Sequence, residues 1–167
     1  MIPDLAHDRV RRLLDYDPDT GIMTRLIRTS STAMAGDRVG SKNARGYLTA
    51  RVDGKTYRVH RLVWFWMTGA WPKEQIDHID GDKLNNRWSN LREATHSENQ
   101  HNRGIISTNT SGYKGVYWYR SRGKWRAQIS FDRRNPKVLG YFDNIEDAAA
   151  AYAKAAREFH GEFARVS

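Results

Sequence analysis

Asp77 and His78 stand side by side, and Asp80, Asp82, Asn85, Asn86 and Asn90 follow within a dozen positions, with Asn99 a little further on. A histidine can take a proton from water near neutral pH. Hard oxygen donors from aspartate and asparagine suit a magnesium or manganese ion. A base beside a divalent cation is what cleavage of a phosphodiester requires. The base activates water, and the cation stabilises charge on the pentacovalent phosphate and the leaving oxygen.

Such side chains converge only if the chain positions them. Gln75-Ile76-Asp77-His78 reads as a strand, and Gly81-Asp82 and Asn85-Asn86 mark tight turns before a return strand. Thr95 with Glu98 forms a capping box that opens a polar helix through about Arg103, bearing Asn99. Asn85 and Asn86 read as turn residues, since asparagine tolerates the left-handed region. Asp80 and Asp82 read as turn formers that could assist a metal. Upstream, 4–15 is a short amphipathic helix and Asp17-Pro18-Asp19-Thr20-Gly21 a turn. Ile22 to Ile27 is a strand, and 28–45 is a loop that could order on binding a partner. Tyr47–Val52 and Thr56–Val59 flank Asp53-Gly54, a hairpin signal. His60–Thr68 is an apolar helix ended by Gly69 and Pro72, with His60 a packing or capping residue. His96 and His101 read as solvated, with phosphate contact the alternative.

After residue 103 the pattern changes. Residues 104–111 are linker-like. Val116 and Trp118 alternate with Tyr117 and Tyr119, and Trp125, Ala127, Ile129 and Phe131 alternate with Lys124, Arg126, Gln128 and Ser130. Two strands result, each with one apolar face. Val138–Phe142 makes a third strand, and Asn144 caps an alanine-rich helix from Ile145 to Phe159 that Gly161 ends. The second part is a three-stranded antiparallel sheet packed on one helix.

The composition narrows the classes. Lysine and arginine number 28 against 19 acidic residues, a net charge of +9. Residues 1–103 carry a net +4 and residues 104–167 a net +5, so both parts suit a polyanion. A basic surface that merely keeps the chain soluble is the alternative. There is no cysteine, which removes disulfides, thiol nucleophiles and thiolate-bound zinc, and with them a zinc deaminase. The longest apolar run, Leu62–Met67, falls far short of the ~20 residues a membrane span needs. The N-terminus lacks the apolar stretch of a signal peptide, so the expected location is cytoplasmic, in a bacterial or phage-infected cell, not secreted.

Val59-His60-Arg61-Leu62-Val63, then Asp77-His78-Ile79-Asp80-Gly81-Asp82-Lys83-Leu84-Asn85-Asn86-Arg87, then Ser89-Asn90-Leu91-Arg92 and Glu98-Asn99, resemble the HNH endonucleases of phages and mobile introns. The resemblance covers roughly residues 12–103. It implies a ββα-metal nuclease domain over 1–103, with its core at about 57–103 and a β-rich extension over 1–56. It implies that His78 is the general base and that Asp77 and Asn99 are ligands of one magnesium or manganese ion per chain. Asn90, the middle asparagine, would hold the two-strand loop and so orient His78. The last motif position is often histidine; some members carry asparagine, as here. Relatives with cysteine pairs hold a structural zinc, which this chain is expected to lack.

Ser111-Gly112-Tyr113-Lys114-Gly115-Val116-Tyr117-Trp118, Gly123–Ile129, Leu139–Asp143 and Glu146–Tyr152 resemble the AP2 DNA-binding domain, over about 112–164 within a domain of 112–167. That resemblance implies a sheet face laid in the major groove, with Tyr117, Tyr119, Arg126, Gln128 and Ser130 on it. Lys114, Arg120, Arg122 and Lys124 would reach phosphates. Plant members carry arginine at the positions of Tyr117 and Tyr119 and tryptophan at that of Val138, so their base preference does not carry over.

The expectation is an α+β chain: a metal-dependent DNA endonuclease followed by a DNA-binding module, with double-stranded DNA as partner, no membrane and no obligatory protein partner. The alternatives are a non-catalytic DNA-binding transcription regulator that keeps the nuclease fold as scaffold, and an RNA-binding or RNA-cutting protein.

Overall fold

The computed structural model describes residues 5–130 and 136–166. The expected strand position of Phe131 and the first residue of the expected N-terminal helix lie outside the described residues. The chain divides into two compact units, Met1–Glu93 and Ala94–Ser167.

The first unit opens with α1 (His7–Leu13). The expected helix to residue 15 stops two residues early. Leu14–Asp17 (β1) instead pairs antiparallel with Ile22–Arg25 (β2). Leu14 and Tyr16 are buried and Asp15 and Asp17 exposed, a two-residue period that only a strand satisfies. Gly21 closes the turn at φ +73°; a Cβ there would lie 2.4 Å from the Arg87 backbone nitrogen, so the turn sits flat against that segment.

Within 28–45 the regular structure is β3 (Ser41–Lys42), which pairs with β4 (Leu48–Val52); β4 pairs in turn with β5 (Lys55–Arg58). The β4–β5 turn is Asp53-Gly54, with φ 44° and 82°, the left-handed pair a two-residue hairpin asks for. α2 (Val59–Thr68) follows without a break and ends at Gly69, φ 77°. Its Val59, Leu62, Val63 and Phe65 are buried with Val10 and Leu13 of α1, Leu14, Tyr16, Met23, Ala50 and Val52. Ile76 of β6 (Gln75–His78) and Leu91 of β7 (Leu91–Ala94) complete this core, and β6 and β7 form a two-stranded sheet. A core on one side of β6 and a loop on the other explains why three consecutive residues, Ile76, Asp77 and His78, are all buried.

The second unit holds α3 (His96–His101), with the expected capping box between Thr95 and Glu98. It continues with β8 (Val116–Tyr119), β9 (Lys124–Ser130), β10 (Pro136–Phe142) and α4 (Ile145–His160). The antiparallel sheet runs β10-β9-β8. Val116, Ala127 and Ile129 bury one face against Ala148, Tyr152, Ala155 and Ala156 of α4. The Asn144 side chain accepts from the Glu146 backbone N–H and caps α4 as expected. Lys114 Nζ donates to the carbonyls of His101 and Arg103 at 2.6 and 2.7 Å, and the His101 and His160 rings stack 3.7 Å apart. These contacts group α3 with the second unit, ahead of the expected linker. Among the described residues no helix is long and apolar enough to cross a membrane.

Candidate active site

His78 is the last residue of β6 and is 4% exposed. Its Nε2 lies 3.1 Å from Oδ1 of Asn86, itself only 1% exposed. The Asn86 amide nitrogen donates to the Leu84 carbonyl, which leaves the amide oxygen facing the ring. An amide oxygen can only accept, so the imidazole proton belongs on Nε2 and Nδ1 carries the basic lone pair. Burial pushes the His78 pKa below its ordinary value, against the opposing pull of Asn86, Asp80, Asp77 and Asp82. The ring is therefore a neutral base at physiological pH.

Two rings back it. His60, on the first turn of α2, is 2% exposed and meets His78 edge-on, centroids 5.1 Å apart. Tyr47 lies 5.2 Å from His60 and 6.1 Å from His78. Burial first, then His78, Arg58 and Arg61, push His60 down to about 3, which makes it a neutral packing residue. Arg58 and Lys83 each sit 4.8 Å from the centre of the Tyr47 ring.

The loop after His78 is fastened by Asn90. Its Oδ1 accepts from the Asp80 backbone N–H at 3.0 Å, and its Nδ2 donates to Asp80 Oδ1 at 2.9 Å and to the Asn85 carbonyl at 2.8 Å. The Asn90 carbonyl accepts from Ile79 N–H at 2.9 Å. Asp80 also accepts from Asp82 N–H and from Asn85 Nδ2, and Asp82 accepts from Leu84 N–H, so both aspartates are turn builders. Asn85 and Asn86 do not use the left-handed region; among the described residues Asp53 alone does so without being glycine. They serve the turn through their side chains, and Asn86 also through the ring of His78. Sequence reasoning missed that second role.

Asp77 is 5% exposed, and its Oδ2 accepts from Nε and Nη2 of Arg92 at 3.1 and 3.0 Å. Arg92, on β7, was not among the expected site residues. The first unit thus brings together Asp77, His78 and Asn90. Asn99 lies half-buried on α3 of the second unit. Among the described residues no group of three or more His, Cys, Asp or Glu could hold a metal ion. The available donors are oxygens of carboxylate and amide, the chemistry of a hard cation that keeps several waters.

In the second unit the register sets Tyr117 opposite Arg126, Tyr119 opposite Lys124, and Val138 and Tyr141 of β10 opposite Gln128 and Arg126. Tyr117, Tyr119, Lys124, Arg126 and Gln128 therefore share the face turned away from α4, with Tyr141 added. Arg126 lies 5.2 Å from the Tyr119 ring centre and Arg122 4.3 Å from that of Tyr141. Among the described residues the buried Nε of Arg126 has no partner. Lys124 pairs with Asp143 at 3.0 Å, and Arg120 is exposed. Lys114, expected to reach phosphate, instead turns inward to two carbonyls, and burial lowers its pKa to about 8.

The protein-family model that matches, described as HNH endonuclease, covers residues 57–101. Protein 3.8 of Escherichia phage T7 is 39% identical over 112 residues, 66% of this chain and 91% of that protein. An uncharacterized HNH endonuclease, L560 of Acanthamoeba polyphaga mimivirus, is 32% identical over 121 residues, 71% of this chain and 61% of that protein. A solved structure titled "DNA binding and cleavage by the HNH homing endonuclease I-HmuI" aligns over 54% of this chain and 51% of its own, at 27% identity and a TM-score of 0.40. Asp77, His78, Asn90 and Asn99 all lie inside the matched segment, so residues 57–101 carry an HNH endonuclease domain, in a chain related to Protein 3.8 of phage T7.

Proposed function

We propose that the chain is a divalent-metal-dependent DNA endonuclease. The observation that carries this reading is the buried, neutral His78, its tautomer set by Asn86, preceded in β6 by a buried carboxylate that Arg92 holds. His78 Nδ1 takes a proton from water, and the resulting hydroxide attacks the phosphorus in line with the 3′ oxygen. The bond to that oxygen breaks and the departing 3′ oxygen takes a proton from solvent water, leaving 3′-hydroxyl and 5′-phosphate ends. Asn90 keeps the loop closed, and His60 and Tyr47 keep the ring from turning. Asp77 and Asn99 are the oxygens the motif assigns to one magnesium or manganese ion, which when bound would supply positive charge to the phosphate and the leaving oxygen. Arg92 fixes the orientation of the Asp77 carboxylate through two hydrogen bonds.

The domains follow the motif: a nuclease domain over 1–103, a linker over 104–111 and an AP2-like DNA-binding domain over 112–167. In the last of these the face bearing Tyr117, Tyr119, Arg126 and Gln128 meets base edges, and Arg120, Arg122 and Lys124 flank it for phosphates. A tethered second binder raises the effective concentration of the nuclease at its site. Double-stranded DNA in the cytoplasm of a phage-infected bacterium is the proposed substrate. The test is conversion of supercoiled plasmid to open circle with magnesium or manganese, with His78→Ala binding but not cutting.

A further inference from the structure

The Asn86 side chain sets the tautomer of His78, and the Asn86 backbone is itself gripped from the far end of the first unit. The hydroxyl of Tyr16, on β1, donates to the Asn86 backbone carbonyl at 2.8 Å, across 70 positions of sequence. Gly21, which closes the β1–β2 turn, lies flat against the same peptide. A Cβ there would meet the Asn86 carbonyl carbon at 2.6 Å and the Arg87 nitrogen at 2.4 Å. One residue on, the Trp88 N–H donates to the Pro18 carbonyl at 3.1 Å. The first hairpin of the chain thus holds the Asn86–Trp88 backbone at three points.

Tyr16 is well placed for this because its own ring is fixed. It is 3% exposed and meets Trp66 of α2 edge-on, centroids 5.7 Å apart. Trp66 Nε1 donates in turn to the Leu14 carbonyl at 3.0 Å, which ties α2 to the same strand. Burial first, and then Asp17, push the Tyr16 pKa up, so the phenol keeps its proton and stays a donor. A buried tyrosine needs some partner for its hydroxyl. This one takes the carbonyl of the residue whose side chain faces the base. Between that clamped backbone and the Asn86 amide stand only χ1 and χ2. The amide itself is closed between the Leu84 carbonyl and the His78 ring. A fixed backbone therefore fixes the amide oxygen.

We propose that Tyr16 is a positioning residue for His78, acting from the first hairpin through the Asn86 peptide. Its contact is with the Asn86 carbonyl, not with a reacting atom. It keeps the Asn86 oxygen on Nε2 and so keeps the lone pair on Nδ1. Its effect on rate rests on the reading of His78 as general base; the anchoring of the ring does not.

The test reads the ring directly, by NMR of the full metal-free chain labelled with ¹⁵N-histidine. Wild type should show two well-separated His78 ring nitrogens and a slowly exchanging Nε2 proton. Tyr16→Phe removes one hydroxyl and keeps the ring. It should draw the two nitrogen shifts together and speed Nε2 proton exchange by about tenfold, the weight of one net hydrogen bond. Gly21→Ala, pressing on the same peptide from the turn, should move the same signals. Val10→Ala, in the same core, lowers stability and should leave them in place. In single-turnover nicking with magnesium, Tyr16→Phe should be about tenfold slower at unchanged DNA affinity. Added to Asn86→Leu it should slow the reaction no further, because both act through one contact. Ring signals that ignore Tyr16→Phe, or that respond equally to Val10→Ala, overturn the proposal. Rate losses that multiply in the double variant overturn it too. A wild type that cuts no DNA, with a ring that loses its anchor in Tyr16→Phe, refutes the general base and upholds the anchor. A ring that ignores Tyr16→Phe in a protein that cuts DNA condemns this inference alone.

Discussion

The side-chain oxygen of Asn86 lies 3.1 Å from Nε2 of His78, and both residues are buried. Eight positions separate them, bridged by the loop that Asn90 fastens. That contact places the imidazole proton on Nε2 and leaves the ring's lone pair on Nδ1. Asn86→Leu removes it while keeping volume. Single-turnover nicking should fall by roughly a hundredfold, the scale of losing a positioned general base. Substrate affinity should hold. A kcat unchanged in the variant would mean that the ring needs no such anchor.

Asn90 closes the loop with three side-chain hydrogen bonds. Asn90→Ala should lower unfolding free energy by about 2–3 kcal/mol, since buried partners are left unpaired. Urea denaturation measures this. A loss under about 0.5 kcal/mol, the scale of a neutral surface change, would count against the loop role.

Arg92 neutralises the buried Asp77. Arg92→Met removes the paired cation and should cost about 3–5 kcal/mol. Combining it with Asp77→Asn should cost clearly less than the two single changes added together. Strict additivity in the double-mutant cycle would show that the pair is not coupled.

His60 supplies a pH dependence of stability. Its folded pKa is about 3 against an ordinary 6.5, so the folded state binds the proton less readily than the unfolded one. Its contribution is complete above pH 6.5 and is lost as pH falls from there toward 3, at up to about 1.4 kcal/mol per pH unit. His60→Phe should flatten this limb in thermal melts between pH 7 and 4. An unchanged slope would mean that His60 can be protonated in place.

The motif was legible because its chemistry needs particular residue types: Asp77, His78 and Asn90 stand together in the first unit. The hairpin, α2 and the capping box were legible too, since Asp53-Gly54, Gly69 and Thr95/Glu98 are local devices. What was not legible came from contacts far apart in sequence. Leu14 and Tyr16 continue an amphipathic pattern on paper, and only pairing with β2 reveals a strand. Asn86 resembles any turn asparagine until the loop folds it onto His78. Lys114 resembles a surface cation until His101 and Arg103 offer it their carbonyls. Residues committed to one another across loops leave no periodicity to read.

The sheet face of the second unit predicts a salt effect. Replacing Arg120 and Arg122 with glutamine should weaken DNA binding uniformly across sequences. It should reduce the slope of log affinity against log salt by about one for each phosphate no longer neutralised. Fluorescence anisotropy over a potassium chloride series reads this directly. An unaltered slope would remove both arginines from the DNA interface.

His78 as the base of a DNA-cutting centre is tested most directly by plasmid relaxation with magnesium or manganese, wild type against His78→Ala, with DNA binding measured in parallel. Wild type should convert supercoiled plasmid, or a genomic-library substrate where the plasmid lacks a site, to open circle. The variant should bind as tightly and cut at least about a hundredfold more slowly, a typical general-base contribution. A His78→Ala protein that cuts as fast as wild type, or a wild type that binds both substrates and cuts neither, would contradict this role.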